Sequence, residues 1–512
     1  MPFEFTPNMK PFIASSILDA VSSQKLEARK ASTTYAQGAR VSNGSNGYIS
    51  INSGTTSAGA GPSNTSGITT DGTIQWLATG PVSGLDSAIN SNIYLGIGKK
   101  TAWPNPASPP NVDSSDAGNT AALDNLSSLV ALSAANFRLG ISRNDWETGE
   151  VYSQYDPEQE GAYANPHYVI VADERIYKCL DNNGGAASTV LPTGTGSAVI
   201  ELADGYIWKY VGSIASRNDY FRFTTDNFVP CPTTNATQVV GSVSTFKDMV
   251  ALATPFDDDD VIVTSIIGDG TGASAATRVN VSGGQATITG FFASALGSGY
   301  SDVWVTANKQ GAAGSGATAT VTLDGDGVDT IAVNAGGTAY VTASVVIIGD
   351  GTGATATAAI TSGAVTSITV TDPGENYTWA RAFVIPGNQG AAARGVLAPK
   401  NGHGSQLTSE LNANTLLVSA TLASALGDYI EADGGGVDGS FRQISLVSNV
   451  KPHAGSTKNA EAYIGPQHHS FASPGSLNKY LRGSGFAVYV NNIVAITHTA
   501  LQEEIIKISI TL

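Results

Sequence analysis

The sequence predicts a mainly β protein with α+β elements, multi-domain, with an inserted Gly/Ala/Thr-rich β-repeat domain. Three observations predict this. Runs of Val, Ile and Leu alternate with polar residues along much of the chain, the period-two pattern of half-buried strands. Glycine reaches 58 residues while charged residues make up only 13%, a composition suited to many turns and small-residue strands. A degenerate repeat fills the span from about residue 261 to residue 397. A chain of 512 residues exceeds one ordinary domain. The expected division is an N-terminal helix and Gly/Ser-rich arm (1–90), a core in two parts (91–250 and 400–512), and the repeat domain between them (251–399).

The elements follow in order. Ile13, Ile17 and Val21, with Leu18 and Leu26 slightly off phase, predict a helix over 11–30, capped by Ser15 or Ser16. Residues 40–80 read as loops and short strands. Ile93, Leu95 and Ile97 alternate as a strand, and Pro104, Pro106, Pro109 and Pro110 force an extended loop after it. Leu123, Leu126, Val130 and Phe137 fall at helical intervals and predict a second helix. Strands are expected at 169–171, 176–180 and 206–211. In the last part, "NTLLVSATL", "FRQISLV" and residues 505–512 read as strands, the final one paired in a sheet.

The repeat is explicit. "IIGDGTGASAATRV" at Ile266 returns as "IIGDGTGATATAAI" at Ile347, with "AAGSGATATVTL" at Ala312 between them and a partial copy, "NQGAAARGVL", at Asn388. Aligning Gly272, Gly316 and Gly353 gives spacings of 44 and 37, and Tyr300, Tyr340 and Tyr377 gives 40 and 37. Each unit reads as a Gly turn, an Ala/Thr strand, a turn, a Val/Ile strand, then Gly and Tyr. Ala317, Ala319, Val321 and Leu323 should face a core, and Thr318, Thr320 and Thr322 water.

Charge excludes some functions. The formal net charge is −16 and no basic run exceeds Lys99-Lys100, so nucleic-acid binding, which draws on phosphate neutralisation, is not expected. No run of 18 apolar residues predicts a membrane helix. "MPFEFTPNMK" has no apolar segment or cleavage site, so no signal peptide is expected. Cys179 and Cys231 are expected as buried, reduced thiols.

Catalytic motifs fail on inspection. There is no G-x-S-x-G, and "GIGKKT" lacks the upstream glycine of a phosphate loop. The GDGTG pieces read as turns. "LDGDGVDT" supplies Asp324 and Asp326, but Val328 and Ala335 stand where an EF-hand needs ligands, so a hydrated hairpin turn is expected. The Asp257–Asp260 run reads as a solvated domain junction. His468-His469 has no third ligand at metal spacing and reads as a surface loop. No cofactor or metal is expected.

The densest aromatic stretch is "LADGYIWKYVGSI" (202–214), where Tyr206, Trp208 and Tyr210 share one face of a strand. With "RIYKCLDNNGGAASTVLPTG" (175–194) and "FRFTTDNFVPC" (221–231), it resembles the gene-product-8 type baseplate wedge family of contractile-tailed bacteriophages. The matching residues are Tyr177-Lys178-Cys179, Ser188-Thr189, Pro192-Thr193-Gly194, and Asp204-Gly205-Tyr206 with Trp208-Lys209. "IYLGIGKKTAWP" and "RNDWETGEVYSQYD" resemble the family's upstream segments. "GHGSQLTSELNANTLLVSATL", "FRQISLV" and "YVNNIVAITHTALQEEIIKISI" resemble its last third. The resemblance spans roughly 90–235 and 400–512. "THTA" departs from it, standing where a basic residue is common.

The resemblance implies a virion structural protein without enzymatic activity, a homodimer assembled in the host cytoplasm into the tail baseplate. Its implied partners are other baseplate wedge proteins and tail fibre components. Interfaces of this kind are anchored by aromatic residues, and Trp103, Trp146 and Trp304 are the candidates. The competing expectations are a tail fibre or receptor-binding protein and a glycan-degrading tail enzyme.

Overall fold

A computed structural model gives the fold. It describes residues 27–81, 93–398, 411–422, 440–448, 462–464, 479–481, 486–497 and 504–511, apart from 38, 100, 114, 133, 160–161, 215, 233 and 236–240. The protein is mainly β, with two short α-helices among the described residues. None of those helices is long and apolar enough to cross a membrane. The chain divides into two compact units. Unit 1 comprises 1–142, 218–231 and 413–512; unit 2 comprises 143–217 and 232–412. The stretch expected as the first half of the core, 91–250, is thus shared between them. The repeat segment 251–399 lies in unit 2, together with 143–217 and 232–250.

Unit 1 begins with a five-stranded sheet in the order Glu27–Ala28, Arg40–Asn43, Asn46–Ser50, Ile74–Pro81, Ile68–Asp71. Tyr48, Ile74 and Trp76 are buried in its core. Beside them Arg29 holds Asp71 through Nε (2.7 Å) and Nη2 (2.9 Å), with both side chains almost fully buried. Two further sheets share one core. In a six-stranded sheet Ile93–Gly98 lies between Leu126–Ala131 and Ser440–Ser448; in a four-stranded sheet Phe137–Ser142 lies between Phe228–Pro230 and Thr415–Leu422. Leu95, Ile97 and Phe441 from the first meet Phe137, Leu416, Val418, Ile506 and Ile508 from the second. The C-terminal strand Glu504–Thr511 pairs with Thr415–Leu422 along its whole length, as its alternation predicts.

The helix expected from Leu123 to Phe137 is corrected. Only Asp116–Asp124 is helical, capped by Ser115, whose side chain accepts from the Gly118 N–H (3.1 Å). Asn125 ends it, and Leu126–Ala131 continues as a strand paired with Ile93–Gly98. Leu123, Leu126 and Leu129 do pack together, around Tyr94 and Val447, but across a helix–strand junction. Their spacing imitates one helical face. A second helix, Arg217–Phe223, has no sequence expectation behind it. Of the helix expected over 11–30, residues 1–26 lie outside the described residues, and Glu27–Ala28 is a strand.

Unit 2 contains the repeat. A four-stranded sheet (Val243–Ala251, Gly390–Leu397, Val303–Lys309, Ile262–Gly268) and a three-stranded sheet (Phe256–Asp257, Gln285–Ser298, Thr271–Ser282) share a core of Phe256, Ile288, Phe291, Val305 and small alanines. A six-stranded sheet follows, from Ser315–Asp324 through to Ala380–Pro386, whose outer strands approach each other so that it nearly closes as a barrel. Ala317, Ala319, Val321 and Leu323 face its core while Thr318, Thr320 and Thr322 are exposed, as expected. The Asp257–Asp260 run is solvated as expected, with Asp257, Asp258 and Asp259 exposed, but it is a turn within the two-sheet sandwich and not a domain junction. Asp257 pairs with Gln285, and the Asp260 carboxylate is bound by Lys309.

The repeat has a structural signature. Tyr300, Tyr340 and Tyr377 are buried, and each hydroxyl accepts the N–H of the equivalent alanine, Ala273, Ala317 or Ala354 (3.4, 3.3 and 3.4 Å). Each ring lies against a glycine, Gly270, Gly314 or Gly351. A Cβ there would stand 2.4, 2.2 or 2.4 Å from the ring. In two copies a carboxylate closes the end. Asp269 accepts from the backbone N–H of Ser301 (2.8 Å) and of Asp302 (3.2 Å), and from the Ser301 hydroxyl. Asp350 does the same with Thr378 (2.8 Å), Trp379 (3.1 Å) and the Thr378 hydroxyl. The middle copy has Ala313 and Val341 at these positions.

The hydroxyls of Ser301 and Thr378, with the neighbouring N–H groups, hold Asp269 and Asp350 down to about 2. A depressed carboxylate contributes stability that is complete above its unfolded value and is lost as pH falls through the folded one. Between about pH 5 and about pH 2, the urea midpoint of the Asp269→Asn/Asp350→Asn protein should therefore fall less than the parent's. Equal slopes would show that these carboxylates hold nothing. Gly351→Ala should cost about 1–3 kcal/mol by overpacking against Tyr377, measured by thermal unfolding. Gly290→Ala, which faces open space, should change little.

Candidate functional site: the aromatic sheet

Of the residues quoted for the wedge resemblance, those between 143 and 214 gather in one place within unit 2; the segments at 93–104, 221–231 and 413–512 belong to unit 1. Arg175–Asp181 pairs with Tyr168–Ile170 on one side and with Ile207–Ser213 on the other. Tyr206 and Trp208, two apart on one strand face, stack with centroids 5.5 Å apart and an interplanar angle of 17°. Tyr152 meets Trp208 edge-on at 5.6 Å, and Tyr177 lies 5.7 Å from Tyr210. Tyr177, Cys179, Tyr206 and Trp208 are fully buried. The opposite face is buried too: Lys178 and Lys209 stand across from each other, with Lys178 Nζ 4.1 Å from the Tyr155 ring and the Lys209 ammonium donating to the Ser197 carbonyl.

Turns attach the remaining marker residues to this sheet. One oxygen of Asp204 accepts the N–H groups of Thr189 (2.8 Å) and Val190 (2.9 Å) and the Ser188 hydroxyl (3.3 Å); the other accepts from Tyr206 N–H (3.2 Å). Gly205 follows with φ +78°, and a Cβ there would stand 2.7 Å from the Asn183 side chain, so both conformation and space call for glycine. Trp146 Nε1 donates to the Ser188 hydroxyl (3.2 Å). Tyr206 donates to the Ala186 carbonyl (2.5 Å) and accepts from Tyr152 N–H (3.2 Å). Tyr177 donates to the Gly194 carbonyl (2.8 Å). The matching segments between Trp146 and Trp208 are thereby bonded to one another.

Arg278, from strand Thr271–Ser282, fastens the same turns. Its guanidinium donates to Asn183 (2.7 Å) and the Gly205 carbonyl (2.7 Å) and pairs with Asp181. Burial pushes the Asp181 carboxyl up, against the pull of Arg278. Both cysteines are free and buried. Burial raises the Cys179 thiol well above its ordinary value and the Cys231 thiol to about 12, so neither is a ready nucleophile.

The three candidate tryptophans lie apart. Trp103, in the proline-rich loop of unit 1, is half-buried; its indole donates to the Ile493 carbonyl (3.0 Å), where the ladder between Ser440–Ser448 and Phe486–Thr497 shifts register. Trp146 packs half-buried at the rim of the aromatic sheet. Trp304 is buried within unit 2 among Val346, Ile348, Phe383 and Ile385, with Arg381 4.8 Å over its ring and Asp302 accepting its indole N–H (2.7 Å). Each indole N–H is bound inside its own unit.

Among the described residues one group of carboxylates, Asp257, Asp259 and Asp260, lies close enough to share a cation, but Asp260 is already paired with Lys309. In the Asp324–Gly327 turn, Asp326 accepts from Asn376 and Tyr377. His468 and His469 lie outside the described residues. No protein-family model matches this chain, and no curated protein does.

Asp204→Ala should destabilise the protein by about 1–3 kcal/mol, because it removes the acceptor of the buried Ser188 and Tyr206 and of the Thr189 and Val190 N–H groups, measured by chemical unfolding. Asp226→Ala is the exposed control.

Proposed function

We propose that the chain is a structural subunit of the baseplate wedge of a contractile phage tail, a virion component that acts by protein–protein contact and not by catalysis. One observation supports this above the rest. Those segments of the wedge resemblance that lie between Trp146 and Trp208 form a mutually bonded, largely buried group around one sheet. Residues placed this way serve to stiffen a subunit; a catalytic or sugar-binding role would need them open to a ligand. The partners on this reading are other wedge proteins and tail fibre components, with a second copy completing a homodimer. Obligate interfaces of that kind bury about 2,000 Å² or more.

The test is reconstitution. The affinity-tagged chain, expressed with the tail proteins encoded beside it, should co-purify with wedge polypeptides. A gold label on it should mark the body of the baseplate in negatively stained virions. A label at distal fibre tips would favour the receptor-binding reading, and release of reducing sugar from host glycan would favour the enzyme; either would overturn the proposal.

A further inference from the structure

Strand Thr271–Ser282 is an outer strand of its three-stranded sheet. On its paired side Val279 stands opposite Ile288, and Val281 opposite Ala286. Directly opposed residues of an antiparallel ladder share a face, so both valines belong to the face that carries the sandwich core. Ile288 and Ala286 are each 6% exposed, yet Val279 and Val281 are 43% and 54% exposed. The core face therefore runs out to the sheet edge at Val279–Ser282, where no further strand of the described residues pairs with it. The neighbouring outer strand, Ile262–Gly268, touches it through Thr264, whose hydroxyl donates to the Ala275 carbonyl, and is preceded by Val261, 56% exposed.

Natural outer strands are usually blunted by charge, proline or a cover. This one has no proline and a single charged residue, Arg278, whose guanidinium is engaged with Asp181, Asn183 and Gly205. Its free end is electrostatically marked. Ser282 pairs with Gln285, Gln285 pairs with Asp257, and Asp258 N–H donates to the Gly284 carbonyl (3.1 Å). Asp257, Asp258 and Asp259 are exposed beside the hairpin end that carries Val281.

We propose that this edge takes up an extended segment of a partner protein as an added strand. Its alternate aliphatic side chains would cover Val279 and Val281, and lysine or arginine at one end would face Asp257–Asp259. The net charge of −16 favours a basic partner over a second copy, which would bring a second acidic run. The edge geometry carries this inference whichever assembly holds the protein.

The probe is a fluorescent peptide, Lys-Lys-Val-Thr-Val-Thr-Val-Thr, titrated with the full chain by anisotropy. Binding should weaken at least about tenfold in Val279→Thr/Val281→Thr, which keeps strand propensity but removes apolar contact. It should also weaken in Asp257→Asn/Asp258→Asn/Asp259→Asn and with added salt. The same peptide with glutamate for lysine should bind at least about tenfold more weakly. Circular dichroism should show both variants folded. The proposal is overturned if the lysine peptide fails to bind, if both peptides bind alike, or if neither set of substitutions matters. Sedimentation showing a dimer that the valine substitutions abolish would also overturn it, assigning the edge to a second copy.

Discussion

Unit 1 depends on hydrogen bonding between strands very far apart in the chain. The Ser445 hydroxyl and the Gly96 carbonyl meet across 349 residues, in a ladder that makes Ile93–Gly98 and Ser440–Ser448 neighbours. These are interior strands, and buried backbone N–H and C=O groups must find partners. Leu95, Phe137, Leu416, Phe441 and Ile506 therefore form a core only when both ends of the chain are in place. The loop-closure penalty for so long an interruption rises only logarithmically, which lets unit 2 occupy the middle of the sequence.

Unit 2 is organised differently. Its three repeat copies are each built on a hairpin, Thr271–Ser282 with Gln285–Ser298, Ser315–Asp324 with Gly327–Thr338, and Thr355–Thr361 with Ala364–Asp372, and are held by tyrosine rings on glycine and by small alanines. The aromatic sheet adds the opposite device: large rings, two buried lysines, and an Asp204 carboxylate that ties the 188–190 segment to its own turn. Arg278 joins the two devices through one guanidinium.

Much of the fold was legible in sequence because one-sided burial imposes alternation. Residues 315–324 and 504–511 show it, and both are strands; Thr415–Leu422, buried on both faces, is a strand without it. The failure at Leu123–Phe137 has a physical cause: Leu123, Leu126 and Leu129 face one core from two kinds of element, and pairing with Ile93–Gly98 overrides local periodicity. At the aromatic sheet, period two placed Tyr206, Trp208 and Tyr210 on one face. It gave no sign that Lys178 and Lys209 would also be buried. Nor could spacing reveal that Asp204 accepts from Thr189 and Val190, since that contact depends on where two turns end in space. The tryptophans show a similar limit: size marked them out, but the acceptor of each indole, the Ile493 carbonyl, the Ser188 hydroxyl or the Asp302 carboxylate, was invisible.

The three repeat copies also differ in a coupled way. Where Asp269 and Asp350 persist, so do Ser301 and Thr378; where the acid is alanine, at Ala313, the hydroxyl is gone as well, at Val341. A change at one position alone would leave a carboxylate without its donor or a hydroxyl without its acceptor. The two positions thus form one unit, and substituting either of them separately tests half of a pair. The tyrosine on its glycine, present in all three copies, holds the turn whether or not that pair is there.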